Sequence, residues 1–235
     1  MSSLTAPLAP ISTCAVAVDT ALLTIRDGRL RLLLIEPEPS ALRGWWALPG
    51  RRVRDDESLD DTAHRSLSEL AGITAPDAHL EQLRTYGDPS RDPRGRVVSV
   101  AYLALTPFAD DPVDPGRARL FDVDELGAPG GPQLAYDHER IVTDALERAR
   151  AKLEYTSLAT AFVPEEFTLA DLRRVYEAVW GVPLDPANFR RKVVSTPGFV
   201  VESDKTASPG PGGGRPAKVY RRGSATHLHP AMLRP

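Results

Sequence analysis

Cysteine is almost missing from this chain: Cys14 is the only one. A lone thiol forms neither an intramolecular disulfide nor a zinc cluster, which makes a reducing cytoplasm the simplest compartment. Long apolar runs are missing too. No stretch approaches the roughly eighteen residues that read as a membrane span, and the N-terminus lacks the basic-then-apolar order of a signal peptide. The expectation is a soluble, cytoplasmic protein with no membrane partner. Lysine is scarce and one-sided, with all four falling after residue 150. Residues 1–150 carry 17 arginines against 24 acids, a net −7, whereas residues 151–235 carry 12 Lys plus Arg against 8 acids, a net +4. Such asymmetry points to an acidic domain joined to one that meets a polyanion. A length of 235 residues at 42% hydrophobic content is enough for two cores.

Residues 1–14, rich in Ser, Thr, Ala and Pro, read as a disordered N-terminus. Residues 15–25 and 30–35 are β-rich and flank Arg26-Asp27-Gly28-Arg29, a hairpin with Asp-Gly at its turn. Further strands are expected at 80–86, 96–106 and 118–123. Within residues 48–73, Leu59, Ala63, Leu67 and Leu70 recur at helical spacing, with Ser58 as N-cap, Asp61 at the capping-box position and Gly72 as the left-handed stop. Asp137 stands where it can cap another helix, whose inner face is Ile141, Val142, Ala145, Leu146, Ala149 and Leu153. His138, in its first turn, receives no functional role.

Two features of the first half suit an anionic ligand. Arg91, Arg94 and Arg96 sit in a loop stiffened by prolines and glycine, offering forked donors suited to a diphosphate; a solvated charged turn is the plainer alternative. Trp45 and Trp46 lead into the Leu48-Pro49-Gly50 stretch, one ring for the core and the other able to stack on a base.

The second half has a different pattern. Thr168 caps a helix carrying Leu169, Leu172, Val175, Tyr176 and Val179, ended by Gly181 and Pro183. Asp185 and Pro186 open the next, in which Phe189 and Val193 face inward. Asn188, Arg190, Arg191 and Lys192 are then left for a major groove. Two short strands, 199–202 and 217–221, flank a Gly/Pro/Ser loop over 203–216, with Lys205, Arg215, Lys218, Arg221 and Arg222 placed for backbone contacts. Helix, turn, helix and wing in this order read as a DNA reader; a small partner-binding domain with a basic face is the alternative.

Residues 48–73 resemble a decayed Nudix box, the phosphate-chemistry motif of nucleoside-diphosphate hydrolases. Aligned on Glu57, Arg65, Gly72 and Ile73, the motif's glycine falls on Arg51 and its three metal-binding glutamates on Ser66, Glu69 and Leu70. Only Glu69 keeps a carboxylate, and a divalent cation wants several oxygen ligands. The segments YGDPSRDPRGRVVSVAYLAL, YDHERIV, KLEYTSLATAFVPEEFTLADLRRVYEAVWG, LDPANFRRK and GRPAKVY extend the likeness: the chain resembles the Nudix-related transcriptional regulators of the NrtR family.

That resemblance implies an α+β chain, a Nudix-type α/β/α sandwich over 15–152 followed by a winged helix-turn-helix domain over 153–222 and a tail over 223–235. It implies a homodimeric bacterial repressor of NAD synthesis or salvage genes that binds a palindromic operator in double-stranded DNA and senses ADP-ribose or a related nucleotide. In this reading Arg91 and Arg94 hold the pyrophosphate with Arg51 or Arg52, a tryptophan or Tyr86 stacks on adenine, and Glu69 meets a ribose hydroxyl. No catalytic residue and no cofactor are assigned. The rival is an active hydrolase of ADP-ribose-like substrates with an accessory nucleic-acid-binding domain, Glu69 and Glu57 holding magnesium with Asp88 or Asp92.

Overall fold

The computed structural model describes residues 13–38, 42–76, 78–107, 111–114, 116–207 and 217–235. The expectations for residues 1–12 and for Arg215 lie outside them. The first half is built on strand β1 (Ala15–Arg26), which turns through Asp27 and Gly28 into β2 (Arg29–Ile35). Both turn residues have positive φ, 53° and 72°, as the Asp-Gly pair predicts. Short strands β3 (Trp45–Trp46) and β4 (Gly50–Arg52) follow, then helix α1 (Leu59–Ala71), β5 (His79–Tyr86), β6 (Val97–Leu105), β7 (Ala118–Asp122) and β8 (Gln133–Leu134). The main sheet has the order β5-β6-β1-β2-β7, with β1 and β6 parallel. One edge of β1 is shared: its end pairs with β2 at Leu23–Arg26, and its beginning with β4 at Ala17–Asp19. A crevice opens where the partner strand changes.

Alternation along the strands feeds two apolar layers. Leu22, Leu33 and Ala104 pack with Leu67, Ala71 and Ile73 on the α1 side. Leu23, Leu32, Leu103 and Leu105 meet Ile141, Val142 and Ala145 of helix α2 (His138–Tyr155) on the other. This is the α/β/α sandwich. Both ends of α1 agree with the sequence, since Ser58 and Asp61 form a capping box and Gly72 sits at φ 68°.

The second half adds β9 (Phe167–Thr168), α3 (Leu169–Trp180), α4 (Pro186–Ser195), β10 (Val200–Ala207) and β11 (Ala217–Arg222), in a three-stranded sheet of order β10-β11-β9. Thr168 and Asp171 cap α3, Gly181 ends it, and Asp185 with Pro186 opens α4. The first wing strand corrects the sequence reading. Residues 203–207, expected in a flexible loop, belong to β10 and pair with β11 after a register shift between Glu202 and Thr206.

Helix α2 joins the halves. Its 18 residues span about 27 Å. The apolar cluster on its face continues from the sheet into Leu172, Tyr176, Trp180, Phe189 and Phe199 of the winged helix. The Tyr176 hydroxyl donates to the Leu153 carbonyl (3.1 Å) and the Trp180 indole to that of Arg150 (3.4 Å). Residues 223–235 read as a tail in the sequence, but they dock on the same helix end. Leu228 and Met232 are buried, and their amides donate to the Tyr155 and Glu154 carbonyls. Arg234 pairs with Glu147 and Glu154.

Candidate ligand pocket and DNA-reading face

The box loop is laced by arginines. Arg65 donates from Nε to Glu57 (2.6 Å) and from Nη2 to the Arg52 carbonyl (2.9 Å), while Thr62 Oγ1 also donates to Glu57. The Arg65 bonds bring the Glu57 carboxyl down to about 2, against burial that pushes it up. Glu69 receives Arg51 (3.2 Å), Arg54 (3.3 Å) and Arg65 (3.4 Å). Burial raises its pKa, but these three partners outweigh that and leave it below the ordinary range. Ser66 is fully buried, and its hydroxyl donates to the Ala63 carbonyl (2.8 Å). Leu70 packs on the α1-side apolar layer. The positions of the three motif glutamates thus present a buried hydroxyl, an alkyl chain and one carboxylate already held by guanidiniums. Among the described residues, no group of three or more His, Cys, Asp or Glu is arranged to hold a metal ion. The donors fit magnesium poorly.

Two adjoining hollows of about 660 Å³ and 510 Å³ share Arg91, Arg94 and Tyr136, and the smaller one opens beside Ala17 and Asp19 of β1. Arg91 is buried, with a 2.7 Å bond to Asp137 and a 3.3 Å bond to Asp19. The guanidinium that the sequence offers as a diphosphate fork is thus held by two carboxylates while still lining both hollows. Asp137 stands at the N-cap of α2 but makes no capping bond from its side chain, which is turned to Arg91. Asp19 also accepts from Ser99, and a Cβ on Gly50, its register partner on β4, would collide with this carboxylate.

His138 is buried as well. Its Nδ1 accepts from the Leu48 amide (2.9 Å), which places the proton of the neutral ring on Nε2, 3.7 Å from Asp19. Burial lowers its pKa, with Asp19 pulling the other way. The ring thus ties the start of α2 to the box loop, a positioning contact that the sequence did not disclose.

Arg94 is an accessible cation here, as are Arg52 and Arg140: its side chain is 57% exposed, bonded to Asp92 (2.7 Å) and 5.7 Å above the Tyr136 ring. Tyr136 has a positive φ of 59°, an uncommon conformation for an aromatic residue, and lines both hollows. Arg51 and Arg52 line the smaller hollow with Glu69, as does Asp92, whereas Asp88 lines the larger; Asp88 is occupied by Ser90 and Asp92 by Arg94.

The aromatics expected to stack on a base are elsewhere. Tyr86 is buried and donates to Asp144 (2.7 Å) on the α2 side of the sheet. Trp46 meets Phe121 edge-on at 4.7 Å, and both tryptophans line a separate hollow of about 1200 Å³ with residues 123–134. Neither lines the arginine crevice. The sequence reading missed Tyr136, Asp19 and Arg140, and saw Asp137 only as a cap.

On the winged helix, Phe189 and Val193 are buried and Asn188, Arg190, Arg191 and Lys192 are exposed, as the helical spacing predicts. Arg191 donates to the Asn188 side chain (2.9 Å), and Lys192 reaches the Leu233 carbonyl (3.3 Å). The wing is less free. Lys205 and Arg221 pair with Glu166, Lys218 pairs with Glu202, and Arg222 donates to Ser157.

A sandwich with an arginine-lined crevice, carried on a winged helix, defines a class of two-domain protein joining a Nudix fold to a DNA-binding fold. The NUDIX domain model matches residues 16–144, and the model of the NrtR DNA-binding winged helix domain matches residues 159–222. The ADPR responsive transcriptional repressor NtrR of Acinetobacter baylyi is 35% identical over 206 residues, 87% of this chain and 80% of that protein. Shewanella oneidensis NrtR complexed with a 27mer DNA superposes with a TM-score of 0.67 at 31% identity, covering 88% of this chain and 93% of that one. Its NUDIX domain complexed with ADP ribose gives 0.51 at 32%, over 59% and 90%. An ADP-ribose pyrophosphatase of Methanocaldococcus jannaschii is 33% identical over 132 residues, 55% of this chain and 72% of that protein. The chain belongs to the NrtR family.

Proposed function

We propose that this chain is a cytoplasmic repressor of NAD synthesis or salvage genes that acts as a homodimer on a palindromic operator and senses ADP-ribose or a related nucleotide in the arginine crevice. The observation that carries the reading is the unbroken helix α2. Its first turn forms the crevice wall with Asp137, His138 and Arg140, and its last turns form the floor of the winged helix through Arg150 and Leu153. A ligand that favours one placement of that first turn biases the far end of the same rigid element. The solved Shewanella complexes and the Acinetobacter relative support the two ligand classes.

In this site the accessible Arg94 and Arg52 meet the pyrophosphate. Tyr136 offers its face to the base, replacing the tryptophans and Tyr86 in that role, and Glu69 meets a ribose hydroxyl. Arg91 holds the wall together rather than the ligand. Sensing proceeds without turnover, because Ser66 and Leu70 supply no metal ligand. The Methanocaldococcus relative keeps the hydrolase reading in play, and the same assay decides it.

That assay is a DNA-binding titration on the promoters of the organism's own NAD-pathway genes at fixed salt, with and without ADP-ribose, following product in the same tubes. A shift in affinity with ADP-ribose intact is the expected result. Consumption of ADP-ribose with magnesium and an indifferent DNA affinity would refute it. Arg191→Ala should cost about 1–3 kcal/mol on the operator and relax specificity at one position, as loss of a base contact does.

A further inference from the structure

The winged helix has a hollow of about 680 Å³ that the recognition helix does not explain. It lies where α3 begins, bounded by Thr168, Leu169 and Ala170, by Arg190 of α4 and by Lys218 and Tyr220 of the wing strand β11. Lys218 and Tyr220 stand two apart on a strand and share a face. Tyr220 is 3% exposed, and its hydroxyl has no hydrogen-bond partner among the described residues. A buried hydroxyl left unmade is costly and seldom kept without use.

Its surroundings suit one kind of partner. Helix α3 has 12 residues, and its capping box occupies only the Asp171 amide, so the amides of Leu169 and Ala170 are left as first-turn donors. The Asp171 carboxylate is turned back to the Thr168 amide and hydroxyl and paired with Arg174. Arg190 is exposed and has no ion-pair partner among the described residues, unlike Lys205 and Arg221, which Glu166 holds. Lys218 is shared with Glu202. Unused amides, an unused hydroxyl, a free guanidinium and a lysine all belong to residues that line one hollow, and each of these groups can donate. The matching ligand is a tetrahedral oxyanion.

We propose that this hollow clamps one phosphodiester of the DNA backbone, the Tyr220 hydroxyl and the first-turn amides of α3 donating to its oxygens and Arg190 closing over it. The inference rests on the DNA-binding reading above and adds to it a contact without sequence information, which sets the depth and register of α4. No bond is made or broken.

Tyr220→Phe deletes only the hydroxyl. In the full-length protein it should weaken binding by about ten-fold on the operator and on an unrelated duplex alike, as loss of a hydrogen bond to a charged group does. The melting temperature without DNA should hold or rise, since the orphan group is gone. Arg190→Gln, on an exposed side chain, should give a similar uniform loss and lower the salt slope by about one. A wild-type protein that binds no duplex would sink the DNA reading itself. Wild-type binding that neither variant changes would overturn the clamp alone, and so would a loss confined to the operator, which would make these base contacts. A third arm uses inorganic phosphate: if it raises the melting temperature of the wild type but not of Tyr220→Phe while DNA affinity is equal, the hollow serves a free anion and the clamp is overturned.

Discussion

Replacing Arg91 by Met is the sharpest test of how the crevice is held. The side chain is 5% exposed and the Asp19 side chain 10% exposed, so their contact lies in a region of low effective dielectric; Asp137 is more open at 22%. Methionine keeps most of the volume and removes the charge. Asp19 would retain Ser99 but lose its only described guanidinium partner, and Asp137 would be left without one. Breaking a buried pair by deleting one side costs about 3–5 kcal/mol; with Asp137 partly solvated, about 3 kcal/mol is the working figure. For a chain of this size that corresponds to a fall in melting temperature of roughly 6–12 °C. Urea unfolding of Arg91→Met, Asp137→Asn and the double variant measures it, and the double should lose less than the two single losses added. A single-variant loss below about 1 kcal/mol would refute the reasoning and return Arg91 to the ligand.

Arg94→Ala strips the buried Asp92 carboxylate of its guanidinium partner, so it should cost about 1–3 kcal/mol of stability and weaken ADP-ribose binding by about ten-fold or more in calorimetry. Equal affinity would remove Arg94 from the site. The folded pKa of His138 is depressed, so below the unfolded value near 6.5 the unfolded chain takes a proton that the folded chain refuses. Stability should therefore fall as pH drops from 7 towards 5.5, by at most about 1.4 kcal/mol per pH unit from this group. His138→Gln should flatten that slope, and unchanged slopes would show that the ring titrates normally. Arg234→Ala should free residues 223–235, and amide exchange at Leu228 and Met232 should accelerate ahead of the helix core; unaltered protection would show that apolar docking suffices.

Local signals were legible in the sequence wherever the cause was local. The Asp27-Gly28 turn, the caps at Ser58 and Thr168, the stops at Gly72 and Gly181 and the inward Phe189 and Val193 each depend on neighbours within four residues. The crevice was only partly legible. Arg91 could be seen as a cation in a stiff loop, but its partners are 72 and 46 residues away, on β1 and at the head of α2. A side chain that reads as a ligand donor in one dimension becomes a fastener once the sheet brings Asp19 beside it. The surroundings of Tyr86 were hidden for a related reason: strand alternation puts it on the α2 face, where its hydroxyl donates to Asp144. Tyr136 carries no composition signal at all, since its left-handed backbone is imposed by the turn between β8 and α2.

The ion pairs of the wing change what its basic residues can contribute to DNA affinity. In a mobile ion atmosphere, each phosphate neutralised by a lysine or arginine sets a counter-ion loose, and that entropy makes binding collapse as salt rises. Glu166 and Glu202 are counter-ions that cannot diffuse away: covalently tethered, they remain beside Lys205, Arg221 and Lys218 whether or not DNA arrives. Contacts at the wing are then swaps of one anion for another. A wing built this way gives DNA binding a shallower dependence on salt than its tally of basic side chains implies.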